Sequence, residues 1–315
     1  MMADSFIFRG TDQRPSCHCA SITDLPGGGL LATWYAGTRE GAADVAVMSA
    51  VHDGSAWSEP EVLFDPPGRP GGNTVVYHHA SHLWHWIDVI EGEGWDSAML
   101  YLMRSDDGGE SWTDPEVFDD EPGMMVRHRP LRLSDGAIAL PAYDEKSWEG
   151  FAYLSDDDGN SWHRSGMMRA PSGCIQPAII ERDDGDLFAL MRSDRNARHA
   201  WESVSTDGGR TWGHCEPSQL LNPNSGADMI RLRSSETIVC FNDTPQGRTP
   251  MTLALSADEG RSWCASRAVE SEPGEYSYPT LMEDPGGSVH LVYTWRRERI
   301  RWINFEAEWI AQAGS

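Results

Sequence analysis

The sequence predicts an all-β chain built as a six-bladed propeller of four-stranded antiparallel blades, and three observations lead there. An eight-residue pattern, Ser-x-Asp-x-Gly-x-Ser/Thr-Trp, occurs as SDDGGESW, SDDDGNSW, STDGGRTW and SADEGRSW, beginning at Ser105, Ser155, Ser205 and Ser256. A period of about 50 residues in a Trp- and Gly-rich chain marks a stacked or radial repeat rather than a string of separate domains. Ahead of each copy comes a second pattern, in which two short apolar runs flank a turn, and the 315 residues suit one closed all-β unit.

The residue types explain what each copy does. Asp and Ser side chains bond nearby backbone N–H groups, Gly supplies the positive φ of a tight turn, and Trp buries a large ring beneath it. The paired apolar runs are ASITDLPGGGLLATWYAG (20–37), PLRLSDGAIALPAYDE (130–145), PAIIERDDGDLFALMRS (177–193), DMIRLRSSETIVCFND (228–243) and PTLMEDPGGSVHLVYTW (279–295). NTVVYHHASHLWHWIDV (73–89) is a degenerate sixth. Each reads as a hairpin, and the apolar strand before the following eight-residue pattern makes a third strand. The first blade carries a decayed copy, AVHDGSAW, and the sixth carries none, with RIRWINFEAEW supplying outer strands. The N-terminal SFIFRG is expected to pair into the last blade, because an open ring would leave an unpaired edge.

The formal charge is −24, from 49 acidic and 25 basic residues, with Lys146 the only lysine. That balance argues against nucleic acid as a partner. It also predicts a chain that repels itself and gains from screening, as in a salt-adapted source. The unfolding midpoint should therefore rise with KCl, and a midpoint that stays flat would count against salt adaptation. The six cysteines are scattered and read as reduced core residues. MMADSFIFRG lacks the pattern of a signal peptide and no apolar run has membrane-spanning length, so a soluble, cytoplasmic chain with no membrane partner is expected.

In such a ring the inner strands meet at a central channel. The polar residues beside them are His18, Arg127, His128, Arg129, Gln176, Asp228, Glu275, Tyr276 and Tyr278, joined by Arg39, Glu40, Asp144 and Glu145 from loops. Strand periodicity puts Tyr276 and Tyr278 on one face and divides His78, His79, His82 and His85 between two, so no metal or cofactor is expected. Arg296, Arg297, Arg299 and Arg301 read as solvating an edge strand.

The four repeats are Asp boxes, and over nearly its whole length the chain resembles the sialidase superfamily of β-propellers. That family holds the sialic acid carboxylate with three arginines and uses a Tyr nucleophile activated by Glu, with an Asp acid/base. The resemblance implies Arg192 (in FALMRS) and Arg248 (in GRTPMTLALS) as the second and third arginines and Tyr276 (in GEYSYPTL) as the nucleophile. It also exposes departures. His18 stands for the first arginine and Gln176 for the activating Glu, and the nearest carboxylates to the acid/base position are Glu40 and Asp44. Glutamine cannot take a proton from tyrosine.

The expected function is accordingly a sialidase-like exo-glycosidase on an anionic sugar. Tyr276 would act as nucleophile or base and Glu40 as acid/base, with His18 and Gln176 orienting the sugar. Arg192 and Arg248 would read its charge, and Arg39, Arg129, His128, Asp228, Glu275 and Tyr278 would make further contacts. A lyase or rhamnosidase-type enzyme on uronate glycans and a non-catalytic carbohydrate-binding propeller are the alternatives. Carbohydrate is the expected partner in each.

Overall fold

The computed structural model describes residues 3–194 and 196–312. Its strands form six sheets, one per blade. Blade one comprises Ser16–Asp24, Leu30–Gly37, Ala46–His52 and Glu61–Phe64. Blade two comprises Gly71–His79, His82–Ile90, Ala98–Ser105 and Glu116–Asp119. In blade three the inner strand is split into Met124–Val126 and Leu131–Arg132, followed by Ile138–Asp144, Glu149–Ser155 and His163–Arg164. Pro130 has no N–H to give to a ladder, so the break falls at Arg127–Pro130 and leaves Arg127, His128 and Arg129 off the sheet.

Blade four comprises Cys174–Glu181, Leu187–Ser193, His199–Ser205 and Glu216–Leu221. Blade five comprises Asp228–Arg231, Thr237–Asn242, Met251–Ser256 and Ala265–Glu270. Blade six comprises Tyr276–Glu283, Val289–Trp295 and Arg299–Phe305. Its outermost strand is Ala3–Phe8, which pairs antiparallel with Arg299–Phe305 so that Ser5 faces Trp302. The expected closure holds. RIRWINFEAEW, however, supplies one strand of this blade rather than several, because its last residues turn into the short helix Glu308–Ala311.

The first strand of blade one packs against the first strands of blades two and six, which closes the ring around an inner channel. Apolar side chains fill the spaces between neighbouring blades, as in the cluster of Trp86, Leu100, Leu140 and Phe151 between blades two and three. Five cysteines are buried as the sequence implies, but Cys264 is exposed.

The Asp boxes join third strands to outer strands in blades two to five and do what their composition dictates. The Asp Oδ1 accepts the backbone N–H four residues on at 2.7–2.9 Å, and the Ser Oγ accepts the glycine N–H at 2.8–2.9 Å. Trp112, Trp162, Trp212 and Trp263 lie partly buried against the blade cores. Hydrogen bonds from Ser111 and Ser105 hold the Asp107 carboxyl down at about 2. A lowered carboxyl stabilises the fold above its unfolded value of about 4 and ceases to do so as pH falls toward 2. Asp107→Asn should thus lower the melting midpoint near pH 6, with the gap to the parent closing as pH falls. A gap that is constant with pH would contradict this.

Candidate active site

All inner strands run the same way through the channel, so one mouth is lined by their beginnings and the other by their ends. At the first mouth, here the upper one, a pocket collects side chains from every blade. Tyr35 and Glu40 come from blade one, Asn73 and Trp95 from blade two, and Met125, Tyr143 and Glu145 from blade three. Gln176 and Arg192 come from blade four, Arg248 from blade five, and Tyr278 and Arg297 from blade six.

A repeated backbone device aims several of these inward. In blades one, four and six the inner strand carries a bulge, with two residues opposite one, between His18 and Ser21, Ile175 and Ala178, and Ser277 and Thr280. The first bulged residue sits in the left-handed region each time, Cys19 at φ 57°, Gln176 at φ 55° and Tyr278 at φ 54°. A bulge re-aims side chains and breaks the simple alternation of a strand. Tyr276 and Tyr278 therefore do not share a face, contrary to the sequence reading. Tyr278 enters the pocket, whereas Tyr276 is 1% exposed in the core between blades five and six, its hydroxyl accepting from Arg296 Nη2 at 3.3 Å.

Tyr278 is the centre of the pocket's polar network. Its hydroxyl oxygen lies 2.6 Å from Arg192 Nη1 and 3.3 Å from Gln176 Nε2. Arg127, Arg192 and Arg248 place their guanidinium carbons 5.2, 5.9 and 5.5 Å from its ring centroid. Gln176 Oε1 in turn accepts from Arg192 Nη1 at 3.3 Å, and Asn224 Oδ1 accepts from Arg192 Nε at 2.8 Å. On the other side Glu275 Oε1 accepts from Arg248 Nη1 at 2.8 Å and Arg297 Nε at 2.6 Å, while Arg297 Nη1 also bonds the Glu40 carboxylate.

The sequence reading singled out none of Tyr35, Asn73, Trp95, Met125 and Tyr143, and it misplaced Arg297, the charged member it missed. Arg297 sits with Arg296 in the turn joining the second and third strands of blade six, at φ 59° and 54° respectively, and reaches the pocket instead of solvating an edge. Neither Gly nor Asn marks that turn, so no sequence signal distinguishes it. His18, which the resemblance sets at the family's first arginine, does not line the pocket. It is 2% exposed, its ring centroid lies 4.2 Å from that of Tyr278, and its Nδ1 is 2.8 Å from Thr294 Oγ1. Burial first, then the charges of Arg297, Arg248, Arg127 and Arg192, push its pKa far down, so it is a neutral support beneath Tyr278.

The remaining predicted residues divide. Glu40 lines the pocket, but Asp44 turns back to bond Thr38 Oγ1 at 3.0 Å. Arg39 is exposed on the same loop and outside the lining. Glu275 braces two arginines, and although burial would raise its carboxyl, Arg297 and Arg248 outweigh it and hold it low. His128, Arg129 and Asp228 instead line a cavity toward the other mouth of the channel, His128 and Arg129 from within the break in blade three and Asp228 held there by the backbone N–H of Leu281, late in the inner strand of blade six. Glu145 has the opposite electrostatics to Glu275: burial raises its carboxyl to about 7, with Arg192 opposing and Asp144 and Asp96 adding to the rise.

Comparisons with known proteins agree with this fold. A family model described as a BNR repeat-like domain matches residues 28–291. The chain belongs to that family, within the sialidase superfamily of β-propellers. The sialidase of Micromonospora viridifaciens is 24% identical over 96% of the chain, which spans only 53% of that relative's length. The structure of a Hadza microbial sialidase superposes with TM-score 0.81 at 20% identity, over 98% of this chain and 69% of that one. A Dyadobacter fermentans protein of unknown function superposes with TM-score 0.80 at 17% identity, over 97% and 99% of the two chains. At such identities these structures establish the fold, and the BNR repeat-like propeller must be read for function from its own pocket.

Proposed function

We propose that the upper pocket is the active site of an exo-acting glycosidase for sugars that carry a carboxylate. The observation that carries this reading is that Arg192, Arg248 and Arg297 line one pocket together with Tyr278. Guanidinium groups are matched to carboxylates in shape and charge, and an anionic sugar entering the pocket gives these three a common partner. The sialidase relatives are consistent with it, and Arg297 supplies the third cation where His18 has removed the first.

In this reading the arginines fix the carboxylate and turn the anomeric carbon toward the Tyr278 oxygen. The phenol oxygen attacks that carbon, or stabilises the positive charge that grows on it, while Arg192 and Gln176 donate to the same oxygen and orient it. Gln176 cannot receive the phenolic proton. Proton transfer falls to the two carboxyls of the pocket, Glu40 and Glu145. Glu40 takes the phenolic proton as the bond from Tyr278 to the anomeric carbon forms, and the leaving oxygen departs with a proton from Glu145. Water then cleaves the glycosyl–tyrosine bond, giving its proton to Glu145 while the tyrosine oxygen takes back the proton on Glu40. Glu40 is tied to Arg297, and we assign the proton donor for the leaving oxygen to Glu145, poised at about 7. The acid form is the active one, so turnover should fall as pH rises through about 7, and Glu145→Gln should remove that limb along with most of the rate. An unchanged profile in that variant would reject the assignment.

Gln176 also favours a second reading, a lyase on uronate glycans, in which no nucleophile is needed. A panel of sialosides, uronides and rhamnosides decides between them. A hydrolase releases a new reducing end, a lyase an unsaturated product absorbing in the ultraviolet, and a carbohydrate-binding module binds without product.

A further inference from the structure

The cavity at the lower mouth, between blades three, four and five, encloses about 360 Å³, within the usual range of small-molecule sites. Four arginines border it: Arg129, Arg132, Arg231 and Arg233. Three are neutralised. Arg132 pairs with Asp158 at 2.9 Å, Arg231 with Asp183 and, at 3.6 Å, Glu259, and Arg233 with Glu283 at 3.3 Å.

Arg129 differs. Among the described residues it has no carboxylate at ion-pair distance, and its Nε is buried without a hydrogen-bond partner. Asp24 and Asp228 act on it only through space. The Asp228 carboxylate is engaged by the N–H groups of Leu281 at 2.6 Å and Met229 at 2.9 Å. His128 Nε2 donates to the Ala227 carbonyl at 2.6 Å, and Tyr77 offers only its ring, 5.8 Å from the guanidinium carbon. In a chain with 49 acidic and 25 basic residues, a partly buried arginine left unpaired beside a cavity is not for want of carboxylates. Withdrawing such a charge from water without a partner is costly, and a bound anion relieves the cost. The rest of the wall includes Leu131, Ile179, Met229 and Leu281, which suits an apolar body rather than a bare inorganic ion.

We propose that this lower cavity is a second binding site, independent of the upper pocket, for a small organic carboxylate anchored on Arg129. Benzoate is the probe, with benzyl alcohol as its uncharged match, titrated calorimetrically into the parent chain, Arg129→Met, Arg129→Lys and Arg192→Met. Benzoate should bind the parent and Arg192→Met alike, about 30-fold or more weakly in Arg129→Met, as for loss of one partner of a buried charge pair, and with intermediate affinity in Arg129→Lys. Benzyl alcohol should bind at least as weakly as benzoate binds Arg129→Met. Binding that is absent in the parent, that survives in Arg129→Met, or that disappears only in Arg192→Met would overturn the proposal.

Discussion

Replacing Tyr278 by Phe should reduce turnover by about a thousandfold or more while the chain still folds. The hydroxyl is the point on which Arg192 and Gln176 converge, at 2.6 and 3.3 Å, whereas the Tyr143 hydroxyl of the same pocket meets the amides of Asn73 and Gln176. Losses of about 10²- to 10⁴-fold accompany removal of a positioned proton-transfer group, and a nucleophile belongs at the upper end. The contrasting variant is Tyr276→Phe. Its ring is packed in the interblade core and its hydroxyl meets only Arg296 at 3.3 Å. Removing that oxygen should leave turnover within about twofold and cost about 1 kcal/mol of stability or less. Steady-state kinetics of both variants on one cleaved substrate check the pair, and the reverse ranking would return the reaction to Tyr276.

Arg297→Ala should lower kcat/KM for a carboxylate sugar by about 30-fold or more, the loss expected when one partner of a buried charge pair is truncated. Two effects add. The substrate carboxylate loses a guanidinium, and Glu40 and Glu275 lose the cation that holds them together. Arg297→Lys should recover only part of this, because an ammonium cannot reproduce a fork that meets two carboxylates at once. Arg299→Ala is the control. That guanidinium lies over the rings of Phe6 and Trp295, 5.1 and 4.9 Å from their centroids, so its loss should trim stability and leave kcat/KM unchanged. Equal effects of the two substitutions on kcat/KM would restore both to the edge of the blade.

The fold was legible because its determinants are local and repeated. Ser105, Asp107, Gly109 and Trp112 form their turn from contacts within eight residues, and three further copies set the period. Closure by the N-terminal strand followed from the need to cover an edge. The pocket was half legible. Gln176, Arg192, Arg248 and Glu40 meet as expected. Tyr278 was mistaken for a companion of Tyr276, since period-two reasoning assumes an unbroken ladder and the bulge at Tyr278 breaks it. His128, Arg129 and Asp228 were grouped with the pocket because a sequence shows which residues border a channel but not at which mouth. Arg297 was invisible because its direction depends on a turn whose two arginines take left-handed backbone conformations that nothing in their side chains demands.

In the proposed function Arg192, Arg248 and Arg297 read a carboxylate beside Tyr278. The direct test pairs the sugar found by the substrate panel with its methyl ester, which keeps shape and linkage but removes the charge. The free acid should be cleaved with kcat/KM at least about 100-fold above that of the ester, with the difference shrinking in Arg297→Ala, given about 1.5–3 kcal/mol for each hydrogen bond to a charged group. Acid and ester cleaved at equal rates would mean that the three arginines serve the protein and not the substrate.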